Sequence, residues 1–284
     1  MATDTKKTTG RKKAARIRPW IQGFFFIFVL ITSLNHLLEE SGQSIPFWPQ
    51  ASLHAICPFG GVVSIYQFLT VGTFVQKIHE SAFVLMAAAF VLAVLAGPVF
   101  CGWICPLGTF QEWISKLGRK LTGKRFDTYI PSKADRVLRY FRYVVLAWVI
   151  YQTAVTGKLI FQDVDPYFAL FNLWSEELAP AALVVLGATA LLSLITERPW
   201  CKYACPYGAV LGLSNKIRIF RIRRAPSTCI DCGACDRACP MGIKVSGLEV
   251  VKDHQCISCL ECTSEYHCPV PATVELKVMG GDAK

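Results

Sequence analysis

Apolar runs alternate with basic stretches along the chain, and the runs have the length of membrane spans. A span needs about 20 predominantly apolar residues. Pro19 to Leu38 contains no Asp, Glu, Lys or Arg, and neither do Ser81 to Phe100 and Leu178 to Thr196. Val137 to Gly157 is the fourth run. Its uncharged stretch, Tyr143 to Gly157, is shorter, so Arg139 and Arg142 are expected to snorkel at the helix end. Residues 53–76 are also apolar, but Pro58, Gly60 and Gly61 break an early helix. A re-entrant or interfacial helix from about Val62 to Gln76 is expected there rather than a fifth span.

Charge placement orients the spans. Lys and Arg number seven before Pro19, one in the 39–80 loop, nine in 101–142, one in the 158–177 loop and twelve after residue 197. Cytoplasmic loops carry the Lys/Arg excess, so four spans with both termini cytoplasmic satisfy every segment. The protein is therefore expected in the cytoplasmic (inner) membrane, as a multi-pass chain with lipid around it. Only 18% of the 284 residues are charged, below the ~25% usual in soluble domains. The net charge of +10 flanks the apolar runs, which argues for a membrane surface and against a nucleic-acid partner. No small-residue cleavage site follows the first run, so it reads as an uncleaved helix.

The two halves repeat. Each has a span, an outer loop (Ile56-Cys-Pro-Phe59 or Val164-Asp-Pro-Tyr167), a second span and a Cys-x3-Cys-Pro-x-Gly motif. The motifs are Cys101-Gly-Trp-Ile-Cys-Pro-Leu-Gly108 and Cys201-Lys-Tyr-Ala-Cys-Pro-Tyr-Gly208. Pro106 and Pro206 disfavour helix at the preceding cysteine and suit the first position of a new one, so each motif reads as a turn. Parallel repeats are typically related by an axis along the membrane normal, which would bring the thiol pairs together. Cys101, Cys105, Cys201 and Cys205 are then candidate ligands of a third iron–sulfur centre; another metal, redox-active thiols and a purely structural turn are the alternatives. Their cytoplasmic side is reducing, which disfavours disulfides.

Eight of the 13 cysteines lie in the last sixty residues. Cys229-x2-Cys232-x2-Cys235-x3-Cys239-Pro240 is the bacterial ferredoxin run, in which the fourth cysteine serves the other cluster. A second copy, Cys256-x2-Cys259-x2-Cys262-x5-Cys268-Pro269, follows. One [4Fe–4S] cluster is thus assigned to Cys229, Cys232, Cys235 and Cys268, and another to Cys239, Cys256, Cys259 and Cys262. Zinc knuckles rarely have this spacing. Leu248-Glu-Val-Val251 reads as a short strand beside the clusters. Lys216 to Arg224 alternates basic and apolar residues and reads as a linker lying on the anionic inner leaflet. The expected fold is an all-α four-helix transmembrane bundle of two parallel two-span repeats, followed by a small α+β two-cluster ferredoxin domain. Its parts are a basic N-terminus (1–18), a transmembrane domain (19–215; spans about 19–38, 81–100, 137–157 and 178–196), the linker (216–224) and the ferredoxin-type domain (225–284).

Together these motifs resemble the NapH type of membrane iron–sulfur protein, related to the membrane core of NosR. Cys57-Pro-Phe-Gly-Gly61 also looks like members of this wider group. The resemblance implies a quinol dehydrogenase subunit or an electron conduit, with a flavin-binding or other redox subunit as partner. No Asp-x-x-Thr-Gly-Ala-Thr-like flavin attachment site occurs, so no covalent flavin is expected on this chain. The leading expectation is an oxidoreductase subunit passing electrons between quinol/quinone, or an external flavoprotein, and cytoplasmic clusters. The alternative is a metal-reducing maturation or regulatory factor; a membrane anchor with structural clusters is a third reading. On the outer face, His54, Cys57 and Asp165 form a candidate quinol or metal site, and His36, Glu39 and Glu40 cluster at the end of the first span. The bland readings are a small buried thiol in a tight turn and a helix end meeting water.

Overall fold

A computed structural model describes residues 2–40, 80–123, 126–127, 129–156, 160–173 and 178–279. The helices are α1 (Ala2–Glu40), α2 (Glu80–Ala96), α3 (Pro106–Thr122), α4 (Ser132–Thr156), α5 (Pro166–Phe171), α6 (Pro180–Ser193), α7 (Pro199–Tyr203), α8 (Pro206–Leu213) and α9 (Ala234–Arg237). The strands are β1 (Phe220–Arg224) and β2 (Val274–Val278). The chain divides into two units. The helical one comprises Phe24–Ala89 and Pro106–Tyr207; the cysteine-rich one comprises Met1–Gly23, Phe90–Cys105 and Gly208–Lys284.

In the helical unit, proline sets the starts. Helices α3, α5, α6 and α7 each begin on one, because the first helical residue needs no amide hydrogen and proline's fixed φ suits it. The unit buries polar residues and exposes apolar ones. Thr109, Gln111, Ser115, Thr153, Thr189 and Ser193 are buried, while Val144, Trp148, Val155, Val184 and Leu191 face outward. Two of the buried hydroxyls are satisfied within their own helices, Thr153 Oγ1 to Val149 O at 2.8 Å and Ser193 Oγ to Thr189 O at 2.7 Å, and Ser115 Oγ donates to Thr196 O at 3.4 Å. Small residues bring backbones close: a Cβ on Gly118 of α3 would lie 2.1 Å from the Leu194 carbonyl oxygen. Both traits suit helices packed in lipid, where apolar faces need no burial and association relies on close packing and internal hydrogen bonds.

One described helix, Arg16–Asn35 within α1, is long and apolar enough to cross a membrane. Val84–Ala96 and Pro180–Ser193 are shorter apolar helices. The second run was expected to continue to Phe100 but ends at Ala96. Gly97 takes φ +87°, and Pro98 disfavours helix before it. Helix α4, of the Val137–Gly157 run, starts at Ser132, five residues earlier than expected. The expected helix over Val62 to Gln76 lies outside the described residues.

In the cysteine-rich unit, β1 and β2 pair antiparallel, from Phe220 opposite Val278 to Arg224 opposite Val274. This corrects the linker. Its basic–apolar alternation has the two-residue period of a half-buried strand, with Ile222 only 2% exposed. The Leu248–Val251 segment adds a single bridge, Arg223 to Val250, and a hydrogen bond from Val251 N to Ile222 O at 2.9 Å. Met241, Ile243, Val245, Val251 and Val274 fill the core beneath.

Candidate iron–sulfur site

The two cysteine runs share a backbone. Asp231 and Ser258, each two residues after the first cysteine of its run, both have φ +50°. Gly233 and Leu260, each directly after the second cysteine, have φ +63° and +62°. Left-handed conformations are rare for residues other than glycine. Their recurrence at matched positions gives both runs one loop geometry.

Cys239, Cys256, Cys259 and Cys262 line one cavity, walled by apolar groups including Ile222, Met241, Ile243 and Val251. The thiol that closes the first run thus sits among three of the second. The Ile243 amide donates to Cys239 Sγ at 3.4 Å. Burial pushes the Cys259 thiol up to about 12. Burial also pushes Cys262 well above the usual thiol range, and the neighbouring Cys259, Cys239 and Cys256 add to the effect. Iron coordination deprotonates such thiols outright.

The other set is more open. Cys232 is exposed and Cys229 intermediate, while Cys235 and Cys268 are buried. Burial, then the Asp236 carboxylate, raises Cys235 to about 11; Cys268 is a weaker neighbour. Among the described residues, no three His, Cys, Asp or Glu side chains converge as ligands of a single metal ion would. Thiols spread around an apolar cavity, one accepting an amide hydrogen bond, fit a cluster that offers a separate iron to each thiolate.

The two Cys-x3-Cys motifs also match in structure. Phe100–Ile104 forms a π-helical turn. Cys105 N donates to Phe100 O at 2.9 Å, and Cys205 N donates to Trp200 O at 2.9 Å, five residues back in each case. Cys101 and Cys105 belong to the cysteine-rich unit, and Cys201 and Cys205 to the helical unit. In the cysteine-rich unit, Arg18 Nε and Gln22 Nε2 donate to the Gly102 carbonyl at 3.1 and 3.2 Å, and Arg18 pairs with Glu261 at 2.7 Å. Trp103 Nε1 donates to Ser258 O at 3.0 Å. A Cβ on Gly102 would meet the Ile257 carbonyl at 2.4 Å, so this turn lies directly against the Cys256–Cys259 loop.

In the helical unit, Arg198 is fully buried and pairs with Glu112 at 2.9 Å. Gln111 accepts from Trp200 N at 3.1 Å and donates to Cys201 Sγ at 3.4 Å. Burial raises the Cys201 thiol, and Arg198 opposes the shift. Arg18, Gln22, Gln111, Glu112, Arg198 and Arg218 escape a reading based on motifs. Charge beside an apolar run is the signal that finds Arg18.

Asp165 caps α5, its Oδ1 accepting from Tyr167 N at 3.0 Å. Burial raises its carboxyl to about 7. His54 and Cys57 lie outside the described residues, as do the side chains of His36, Glu39 and Glu40.

The 4Fe-4S binding domain family matches residues 78–125 and 178–225, once in each half, and each match contains one Cys-x3-Cys-Pro motif. YccM of Escherichia coli (strain K12), named as an electron transport protein, is 31% identical over 76% of this chain and 61% of its own length. The uncharacterized protein MJ0750 of Methanocaldococcus jannaschii is 31% identical over 80% of this chain and 91% of its own length. The ferredoxin-type protein NapH of Haemophilus influenzae is 33% identical over 64% of each chain. The chain thus spans under two thirds of YccM and NapH. No solved structure matches. Duplicated turns that match a 4Fe-4S domain, a cysteine-lined cavity and these relatives agree, and the chain belongs to the NapH/NosR-type family of iron–sulfur proteins.

Proposed function

We propose that the chain is a membrane electron-transfer subunit. It passes electrons between quinol/quinone, or an external flavoprotein, and [4Fe–4S] clusters on the cytoplasmic side. Bound clusters supply one-electron acceptors and donors. Cys229, Cys232, Cys235 and Cys268 hold one, and Cys239, Cys256, Cys259 and Cys262 another. The observation that supports this most is the cavity in which Cys239 joins three cysteines of the other run. Cys101, Cys105, Cys201 and Cys205 hold a third centre at the helix exits. The support is one 4Fe-4S domain match per motif and the shared i to i+5 hydrogen bond. Four spans carry the chain across the bilayer, which the polar interior and apolar exterior of the helical unit support.

At the outer face, Asp165 accepts a proton as quinol is oxidised. A carboxyl near 7 is matched to that task at neutral pH. The test is reduction of the iron–sulfur EPR signal by a short-chain quinol in proteoliposomes. Wild type should reduce, and Asp165→Asn should slow the quinol-driven rate about 10²-fold or more while leaving dithionite reduction unchanged. Quinol that never reduces the clusters, with metal-ion reduction in its place, would favour a maturation factor.

A further inference from the structure

We propose that Arg218 sets the reduction potential of the cluster held by Cys239, Cys256, Cys259 and Cys262, raising it above that of the other ferredoxin-type cluster, so that it takes the electron first. This rests on the reading that those four thiols hold a [4Fe–4S] cluster. The step is transfer of one electron; no bond forms or breaks and no proton moves. Each added electron makes the cluster and its thiolates one charge more negative.

Arg218 is 0% exposed. Nη1 lies 3.6 Å from Cys256 Sγ and donates to Ser258 Oγ at 2.9 Å; Nη2 donates to the Val251 carbonyl at 2.6 Å. Its Nε finds no hydrogen-bond partner, and among the described residues no carboxylate pairs with it. A guanidinium is a permanent charge, and burying one without a counter-charge is unfavourable. The anion within its reach is the Cys256 thiolate and whatever that thiolate binds. In a low-dielectric cavity the attraction strengthens as negative charge is added. Net charge and hydrogen bonds to sulfur are what set cluster potentials.

The guanidinium is clamped. Ser258 Oγ donates onward to Ala96 O at 2.7 Å. A Cβ on Gly97, at φ +87°, would lie 2.4 Å from Ser258 Oγ and 2.8 Å from Arg218 Nη1. The position matched to Ser258 in the other run carries a carboxylate. Asp231, at the φ +50° site that Ser258 occupies in its own run, accepts from Cys229 Sγ at 3.5 Å. Asp236 Oδ1 accepts from Cys235 Sγ at 3.7 Å. Carboxylates beside those sulfurs oppose the added electron.

The experiment is an EPR-monitored redox titration of the full-length protein with dithionite, comparing wild type, Arg218→Gln and Arg218→Lys. Iron and labile sulfide in the wild type first test the underlying cluster reading by itself. In Arg218→Gln one potential should fall by at least tenfold in the one-electron equilibrium, ~59 mV, while the others stay put. Arg218→Lys, which keeps the charge, should recover at least half of that shift. Loss of iron from Arg218→Gln with full loading of Arg218→Lys would equally support a role for the charge. Unchanged potentials in both variants, or loss of iron from both, would overturn the proposal.

Discussion

The loop Cys229–Cys235 and the loop Cys256–Cys262 trace the same backbone and live in different surroundings. The first lies open: Cys232 is exposed, Ile230 is 63% exposed and the Asp231 side chain is 82% exposed. The second is enclosed, with Cys256, Cys262, Ile257 and Ser258 all buried. It packs against the Cys101–Cys105 turn through Trp103 and Gly102, with Arg218 on its Cys256 side. Equal loops thus sit in unequal settings. The enclosed one adjoins the first turn motif, and the open one exposes Cys232 to solvent.

The largest test of this contrast is Cys268→Ala, which should remove the cluster of the open loop, although Cys268 is nearer in sequence to the enclosed one. Cys239→Ala should do the reverse. Each variant should lose about four irons, read by iron analysis and EPR; loss of the sequence-adjacent cluster instead would refute the crossed assignment. Next comes Gly102→Ala. Its Cβ would meet a backbone oxygen of the enclosed loop at 2.4 Å, an overpacking cost of about 1–3 kcal/mol. Thermal release of iron should come earlier from the enclosed cluster and not from the open one. Asp231→Asn should act least. It removes an exposed charge worth under about 1 kcal/mol, so the open cluster's potential should rise slightly, and less at high salt. A large, salt-insensitive rise would mean that the loop is enclosed in the working protein.

Much of this contrast was hidden in the sequence. The cysteine spacing announces both loops, and the cavity that Cys239 shares with Cys256, Cys259 and Cys262 is in keeping with the crossing it suggests. The setting of each loop depends on residues with no motif. Arg218 sits in a basic–apolar alternation that reads as a leaflet-binding linker, yet the same alternation is the period of strand β1. A fragment cut at Ala225 would lose β1 and with it the sheet. The second helix ends at Ala96 because Gly97-Pro98 stops it, a signal that hydropathy alone passes over. Buried Gln111 and Glu112 were concealed by a helix, α3, that looks like a soluble amphipathic segment. Its polar residues face Cys201 and Arg198.

Both ferredoxin runs and the two turn motifs are proposed to hold clusters. Iron and acid-labile sulfide per full-length chain test it most directly, measured for wild type and for the Cys105→Ser/Cys205→Ser double variant. Three clusters predict roughly twelve irons in wild type and roughly eight in the variant, with matching sulfide. Equal iron in the two proteins would contradict the third centre, and zinc without labile sulfide would contradict the account as a whole.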